Sequence, residues 1–228
     1  MFFFFNFNPY IAIIGDIKNS KQLNKRKKVQ NKLNLVLNGI NKKYESMISA
    51  KFMITLGDEF QGLLHEGAKV LDIIEEIQRE MYPIQIRFGI GVGQITTEIN
   101  AEMAIGADGP GYYKAREAIE TIKNCEQKSK TQPSDIRIGI EDDKHSIADL
   151  LNTIFSLMAV IQSSWTERQR EIIWKYEECG ESQTECAVRL GVSQSTVQRS
   201  LMTSDYYAYK NAKETVNTVL KEIGEVHV

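Results

Sequence analysis

Three carboxylates lie where two predicted strands end. Asp16 follows the apolar, β-branched run at residues 10–15, and Asp58 with its neighbour Glu59 lies in a Gly-Asp turn between two further apolar runs. Two like charges held close together are costly unless a cation neutralises them. Mg²⁺ suits such a pair, because it binds one or two protein carboxylates together with substrate phosphates. The spacing therefore predicts a Mg²⁺ (or Mn²⁺) site formed by Asp16 and Asp58, with Glu59 as a reserve ligand.

The predicted elements bring Asp16 and Asp58 together. The strand at 10–15 precedes a helix with apolar residues at every fourth position, and a hairpin of two strands at 51–56 and 59–64 follows. In such a crossover the first two strands run in the same direction, so their C-terminal ends share one edge of the sheet. The hairpin then places the third strand between them. The simpler alternative is that each aspartate is an ordinary turn or cap residue.

Basic residues near this edge could bind phosphate. Lys18 and Lys21 flank the expected N-terminus of the first helix, where free backbone N–H groups attract anions. Arg87 and Arg116 form a second basic pair. The first helix also carries a basic stripe on its other face: Lys25, Arg26, Lys27, Lys28 and Lys32. We interpret this stripe as a solvated face rather than as a binding surface.

The rest of the first 142 residues completes an α+β pattern. A helix at 70–81 precedes a strand with glycines at alternate positions, which leave one face open to a ligand or to another backbone. The later predicted segments are a helix at about 112–123, a loop at 126–134 and a strand at 135–140. The first six elements have the order βαββαβ of a ferredoxin-like palm, and a helix and a last strand follow them.

Beyond residue 142 the pattern is wholly helical, so we predict an α/β domain at 1–142 and a helical domain at 143–228. Ser182 and Glu185 predict a capping box, Gly191 a turn, and Ser193 the cap of a second short helix. Residues 182–201 thus predict a helix-turn-helix, in which the start of the second helix faces base edges. The candidate DNA-reading residues are Gln194, Ser195, Gln198 and Arg199. Glutamine can pair with adenine and arginine with guanine.

Charge and composition limit the possible partners. The formal charge of −2 excludes a globally basic protein, and residues 164–228 hold eight Lys and Arg against ten Asp and Glu. Because phosphate contacts supply most of the affinity for DNA, a monomer would bind weakly, and a helical bundle used for protein contacts is the alternative. No apolar stretch reaches the ~18 residues of a membrane span. We therefore expect a cytoplasmic protein without membrane insertion.

Four stretches in order carry a resemblance to a known family: IIGDIKNSKQL, ITLGDEFQGLL, IRFGIGVGQITTEI and AIGADGPGYYKAREAI. Together they closely resemble the SatD family, a bacterial family linked to stress or acid tolerance. At greater distance they resemble the palm domains of class III nucleotidyl cyclases and GGDEF proteins. The stretches TERQREII and QTECAVRLGVSQSTVQRSL resemble region 4 of sigma factors.

The cyclase resemblance implies a nucleotide site. The two metal-binding carboxylates map onto Asp16 and Asp58, and Arg116 lies where cyclases carry an arginine that stabilises the transition-state phosphate. Nucleotide contacts are implied for Ile17, Lys18, Ser20, Gly57, Arg87, Asp108 and Tyr112. The base-selecting lysine is replaced by Ile54, and the asparagine that partners the arginine by Tyr112. Cyclases act as dimers, so the resemblance also implies a homodimer.

Three functions follow from these observations. The first is a DNA-binding regulator of a stress response whose cyclase-like domain senses a nucleotide with Mg²⁺. The second is a nucleotidyl cyclase or nucleotidyltransferase that uses two-metal phosphoryl chemistry, with the helical domain as a control element. The third is an adaptor without catalysis that works by protein contacts. We favour the first, because it accounts for both domains and tolerates the missing base-selecting residues.

Overall fold

The computed structural model describes residues 5, 7–20, 26–128, 134–142 and 146–223, so Lys21 and Lys25 lie outside the described residues. Its regular elements follow in chain order: β1 (Tyr10–Ile17), α1 (Arg26–Lys43), β2 (Ile48–Leu56), β3 (Glu59–Leu64), α2 (Val70–Met81), β4 (Ile86–Gly93), α3 (Pro110–Lys128), β5 (Ile136–Ile140), α4 (Ile147–Ser163), α5 (Glu167–Glu178), α6 (Gln183–Leu190), α7 (Gln194–Thr203) and α8 (Tyr206–Lys221). A single 3₁₀ turn, Glu45–Met47, leads into β2.

The five strands form one sheet in the order β2-β3-β1-β4-β5. β1 pairs antiparallel with both β3 and β4, β2 pairs antiparallel with β3, and β4 pairs parallel with β5. β1 and β2 therefore run in the same direction with β3 between them, as the hairpin at residues 57–58 predicts. The fold class expected from the sequence, a βαββαβ palm followed by helices, is confirmed.

The strand β1 is buried on both faces of the sheet. Ile11, Ala12, Ile13 and Ile14 are each at most 1% exposed. Because side chains alternate along a strand, Ala12 and Ile14 share one face, where they pack in a cluster with Tyr112 and other residues of α3. This continuous apolar run explains why the first strand is recognisable from sequence.

The alternate glycines of β4 serve close packing against α3. A Cβ added at Gly91 would lie 1.9 Å from the carbonyl oxygen of Gly111, and one at Gly89 would lie 2.1 Å from that of Ala115. Both carbonyls belong to the backbone of α3. The sequence predicts that either a ligand or another backbone approaches these glycines, and in the structure it is the backbone of α3.

α3 continues to Lys128, so residues 126–128 are helical where the sequence predicts the start of a loop at 126–134. The added turn contains Glu126, whose carboxylate accepts hydrogen bonds from Arg87. That contact joins residues far apart in sequence. It stabilises the polar C-terminal end of α3 as helix, an effect that the local sequence does not indicate.

The described residues divide into two compact units, one of residues up to Phe155 together with those from Val216 onward, and one of Ser156–Thr215. Within the first unit, Gly67 donates its backbone N–H to the carbonyl of Ile223 at 3.0 Å, and Leu220 and Ile223 are fully buried. The last turns of α8 thus belong with the sheet. The boundary expected at 142/143 places these residues with the helices instead, and it stays a prediction.

The second unit holds the helix-turn-helix. Ser182 and Ser193 accept hydrogen bonds from the backbone N–H groups of Glu185 and Thr196 at 3.3 and 3.2 Å, so each short helix has its predicted cap. Gly191 ends α6 in the left-handed conformation, with φ of 64°. The Ser182 capping box is only half formed, because the Glu185 carboxylate pairs with Arg189 instead.

No single helix among the described residues is both long and apolar enough to cross a membrane, although α4 and α5, bent by 118°, pass that test as a pair.

Candidate functional site

The three carboxylates singled out in the sequence meet at one edge of the sheet. Asp16 lies opposite Glu59 of β3 and opposite Arg87 of β4. The backbone N–H of Ile17 donates to the carbonyl of Asp58 at 3.3 Å, which joins the end of β1 to the hairpin turn. The predicted meeting of these strand ends is therefore present.

Asp16 is already paired with two cations of the protein. Its Oδ2 lies 2.6 Å from the Arg87 guanidinium, and its Oδ1 lies 3.0 Å from Nζ of Lys123. Asp16 is 8% exposed and the Arg87 side chain 12%. Both oxygens of the predicted metal ligand are thus engaged in a largely buried ion pair.

The pairing continues beyond Asp16. Arg87 also donates to Glu126 through two nitrogens, at 3.0 and 2.6 Å. Lys18 lies 2.8 Å from Glu126 and contacts Asp135 as well. Three cations and three carboxylates form this neutral cluster, called the Asp16 network below: Asp16, Lys18, Arg87, Lys123, Glu126 and Asp135.

Titration within the network follows from its ion pairs. Burial opposes ionisation of Glu126, but hydrogen bonds from Arg87 and Lys18 outweigh it and lower the pKa of this carboxyl. Burial likewise opposes the charge on Arg87, and hydrogen bonds to Glu126 and Asp16 outweigh it and raise the pKa of the guanidinium. Burial of Asp135 dominates over its contact with Lys18, so its pKa is raised.

Glu59 differs from the network carboxylates. Burial, followed by the charge of Asp16, raises the pKa of Glu59, although Lys123 and Arg116 act in the opposite direction. Its carboxylate forms no hydrogen bond or ion pair with any residue that the structure describes. Asp58 has a distant cation, since the Arg26 guanidinium lies 3.9 Å from its Oδ1.

The edge does not fit a two-metal centre in this arrangement. A bridging cation would need the oxygens of Asp16 that Arg87 and Lys123 contact. Across the described part of the chain, no three His, Cys, Asp or Glu side chains are grouped so that they could hold a metal ion. The repulsion that motivated the Mg²⁺ prediction is offset by protein cations instead. Mg²⁺ or Mn²⁺ at Asp16, Asp58 and Glu59 stays a prediction.

The other implied nucleotide residues divide into separate groups. Arg116 lies 3.7 Å from Asp108, which also accepts from the Tyr113 hydroxyl at 2.9 Å. Tyr112 is fully buried, and its hydroxyl has no hydrogen-bond partner among the described residues. Gly57 has a φ of 67° and accepts a hydrogen bond from Gln30.

Ile17 and Ser20, near the end of β1, are both buried. Of the residues implied to contact a nucleotide, Lys18 and Arg87 belong to the Asp16 network.

Three residues of the Asp16 network are not among the site residues that the sequence predicts. Lys123 and Glu126 lie on α3, and Asp135 precedes β5. Glu126 and Asp135 fall in or next to the segment expected to be a loop. The spacing of Arg116, Lys123 and Glu126 at i, i+7 and i+10 is a signal, because it places all three on one side of a helix.

The four candidate DNA-reading residues share the exposed start of α7. Gln194, Ser195, Gln198 and Arg199 are all exposed. Two of them are engaged locally, since Gln194 donates to Gln183 of α6 at 2.7 Å and the Ser195 hydroxyl lies 2.9 Å from that of Ser193.

Gln198 and Arg199 are different, because their side chains make no hydrogen bond or ion pair with any described residue. α7 itself contains no acidic residue. Five carboxylates elsewhere in the helical unit have basic partners within it: Glu171, Glu178, Glu181, Glu185 and Glu214. The negative charge of the unit is therefore largely compensated, and Arg199 is available to a partner.

A family model described as the SatD family matches residues 10–220, which include both the sheet and the helix-turn-helix. A comparison with curated proteins finds no significant match.

Three solved structures are distant likenesses. The dimeric guanylyl cyclase domain of the RhoGC fusion protein from Blastocladiella emersonii is 18% identical, with a TM-score of 0.38 over 58% of this chain and 79% of that chain. The guanylate cyclase domain of RhGC from Catenaria anguillulae, in complex with GTP, is 22% identical, with a TM-score of 0.32 over 59% and 79%. A regulator of polyketide synthase expression from Bifidobacterium adolescentis is 15% identical, with a TM-score of 0.28 over 95% and 80%.

Proposed function

The chain belongs to the SatD family, and we propose that it is a DNA-binding regulator whose α7 reads base edges in the major groove. The observation that carries this proposal is the exposed pair of polar side chains on α7, Gln198 and Arg199. Gln198 and Arg199 have the chemistry that reads adenine and guanine, and their side chains make no hydrogen bond or ion pair with a described residue.

The packing of the unit supports a reading helix with a fixed orientation. Val197 and Leu201 of α7 are fully buried, as is Cys186 of α6. The Trp165 indole N–H donates to the carbonyl of Ser204 at 2.7 Å, just beyond the end of α7. A helix anchored along one side and just beyond its C-terminal end presents its opposite side with little loss of conformational entropy on binding.

We extend the proposal to a homodimer, because one helix-turn-helix makes few phosphate contacts in a unit without excess positive charge. Two copies of α7 on one duplex would add their contacts, as dimeric helix-turn-helix proteins do at half-sites. Sedimentation equilibrium of the full chain, alone and with bound DNA, measures this state. A complex of one chain per duplex contradicts the dimer and leaves base reading by α7 in place.

The experiment has two steps. The full chain first selects fragments from a library of random duplex DNA, and fluorescence anisotropy then measures its affinity for the enriched sequence and for a scrambled one. Arg199→Ala should reduce discrimination between the two by about 1–3 kcal/mol, the typical value of one specific base contact. Because Arg199 is exposed and unpaired, its loss should not affect folding.

Arg168→Ala is the matched control. Arg168 lies on α5, is similarly charged and exposed, and pairs with Glu171. It should leave the discrimination unchanged. If no sequence is enriched at low salt, or if Arg199→Ala discriminates as well as the parent chain, base reading by α7 is wrong.

A second candidate, nucleotide binding at the sheet edge, has one observation in its favour. Glu59 lies beside Asp58 without a hydrogen-bond or ion-pair partner among the described residues, in a region that also holds the partly exposed cations Arg116 and Lys123. We propose binding of a nucleotide there as a signal rather than its turnover, because the oxygens of Asp16 are already engaged.

Calorimetric titration with each nucleoside triphosphate, with and without Mg²⁺ or Mn²⁺, tests this candidate alongside an assay for pyrophosphate release. Binding that Arg116→Ala weakens, without pyrophosphate release, supports a sensor. Release that Asp58→Ala abolishes identifies an enzyme instead. The absence of binding by any nucleotide removes this candidate and leaves the DNA proposal intact.

A further inference from the structure

The outward side of α1 is strongly basic. The helix contains six Lys and Arg residues and no acidic residue in its 18 residues. All six are exposed, and the four that form no ion pair with a described residue define what we call the basic face of α1: Lys27, Lys28, Lys32 and Lys42. Exposed asparagines lie between them, at Asn31, Asn34 and Asn38. In a chain whose net charge is −2, this concentration of cations stands apart.

The basic face has no acidic partner within the described chain. Of the six cations on α1, Arg26 lies 3.9 Å from Asp58 and Lys43 lies 2.6 Å from Glu76. The four lysines of the basic face form no ion pair with any residue that the structure describes. Three other lysines of the sheet unit with partly exposed side chains do have partners: Lys51 with Glu102, Lys69 with Asp72, and Lys114 with Glu117.

The position of α1 fixes which way these lysines point. Leu33, Leu37 and Ile40 are at most 1% exposed, so this side of the helix is held in the core. Lys28 and Lys32 are one turn apart, and Lys42 follows at the other end of the helix. At 1.5 Å per residue, the stretch from Lys27 to Lys42 extends about 22 Å. A rigid row of positive charge of this length matches a linear polyanion.

We propose that the basic face of α1 binds the phosphate backbone of nucleic acid without regard to base sequence. Lysine ammonium and asparagine amide groups are both common donors to phosphate oxygens. Each neutralised phosphate releases condensed counterions, which gives affinity to a protein whose overall charge is negative. The face thus supplies phosphate contacts that the helix-turn-helix unit lacks.

A membrane surface fits this helix less well. An interfacial helix inserts an apolar side between lipid chains, beside a basic side that meets the headgroups. The apolar side of α1 is buried in the protein, and Leu35, 72% exposed, is the one large apolar side chain that α1 exposes. Nucleic acid, which needs only charge and polar donors along a line, is the partner that the charges and burial favour.

The proposal is independent of base reading by α7. It is tested with full-length protein and a fluorescein-labelled duplex of random sequence, whose binding is measured by anisotropy across about 50 to 200 mM salt. The triple variant Lys27→Gln, Lys28→Gln, Lys32→Gln should lower the slope of log affinity against log salt by about 2.7, since each phosphate contact contributes about 0.9. The loss of affinity over that range should then be about 40-fold smaller than in the parent chain.

The matched control removes three lysines that already have partners: Lys51→Gln, Lys69→Gln, Lys114→Gln. It changes the net charge equally and should leave the slope unchanged. Equal slopes for the parent chain and the Lys27, Lys28, Lys32 variant overturn the proposal, as does an equal loss of slope in the control. Binding to vesicles of anionic lipid without binding to the duplex also overturns it. Arg199→Ala should leave this slope unchanged, so a failure of base reading is seen separately.

Discussion

The Asp16 network and the exposed side of α7 are both polar, but they differ in what their side chains already contact. In the network, Asp16 and Arg87 are largely buried and each has protein partners. On α7, Gln198 and Arg199 are exposed and have none among the described residues. Asp16, the first of the predicted metal ligands, is therefore less available to a ligand than the exposed residues of α7.

The difference shows that a sequence motif does not by itself determine whether its residues form a ligand-binding site. A carboxylate at a strand end can bind a metal ion or pair with a cation of the same protein, and the same sequence motif serves both. Here partners distant in sequence determine which of the two occurs. Lys123 is 107 residues from Asp16, and Glu126 is 39 residues from Arg87. On α7 no such partner intervenes, so the local pattern of the helix determines what is exposed.

The largest expected effect is on the free energy of unfolding, and it tests whether the ion pairs of the Asp16 network are shielded from solvent. Arg87→Ala would leave Asp16 and Glu126 partly buried without their shared cation, and breaking a buried ion pair in this way typically costs about 3–5 kcal/mol. Urea unfolding of the variant and the parent chain measures the free energy of unfolding. Arg116→Ala is the control, since Arg116 is half exposed and 3.7 Å from Asp108, and it should cost about 0–1 kcal/mol.

Adding Asp16→Asn to Arg87→Ala sharpens the same comparison, because it removes one of the two carboxylates that have lost the Arg87 guanidinium, and it should recover part of the lost stability. If Arg87→Ala costs no more than Arg116→Ala, the edge is open to solvent and ions, and the contrast with α7 is lost.

An intermediate effect compares two glycines in contrasting surroundings. Gly91→Ala puts a methyl group 1.9 Å from the Gly111 carbonyl and should destabilise the protein by about 1–3 kcal/mol. Gly39→Ala, on the solvent side of α1, meets no atom within 4 Å and should stabilise by about 0.5–1 kcal/mol, because alanine favours the helix. Thermal unfolding of both variants measures the difference, and a shift of the same sign in both would contradict the packing of α3 on β4.

The smallest expected effect concerns Glu59. Its pKa is raised by folding, so the protonated form is favoured in the native state, and this contribution is lost as pH rises through the folded pKa. Glu59→Gln should therefore match the parent chain below the ordinary glutamate pKa of about 4.3 and become the more stable of the two towards neutral pH. Melting temperatures across this range measure the gap. A parent chain that gains on the variant as pH rises would show that Glu59 has a cationic partner after all.

The sheet could be derived from sequence because its signals are local. The apolar run before Asp16, the Gly57-Asp58 turn and the alternate glycines of β4 each specify a strand or its end, and the crossover rule orders them. The caps at Ser182 and Ser193 are equally local, so both short helices begin where expected.

The candidate site was less derivable, because its partners are distant in sequence. Asp16 and Asp58 meet as the topology requires, but the pairing of Asp16 with Lys123 depends on how far α3 continues and which side it presents. The basic stripe of α1 was visible as a pattern, and we interpreted it as solvated. That Lys27, Lys28 and Lys32 form no ion pair with any described residue is a property of the folded surface, which no window along the chain displays.

The docking of α8 at Gly67 has a practical consequence for anyone dividing the chain. A cut at residue 142 would separate the two parts of the protein that the hydrogen bond from Gly67 to Ile223 joins, and would leave Leu220 and Ile223 as apolar groups in water. Excising residues 156–215 and joining Phe155 to Val216 through a flexible linker would instead keep Leu220 and Ile223 with the sheet unit to which they belong. This chain is therefore better divided by removing the internal segment 156–215 than by truncation at residue 142.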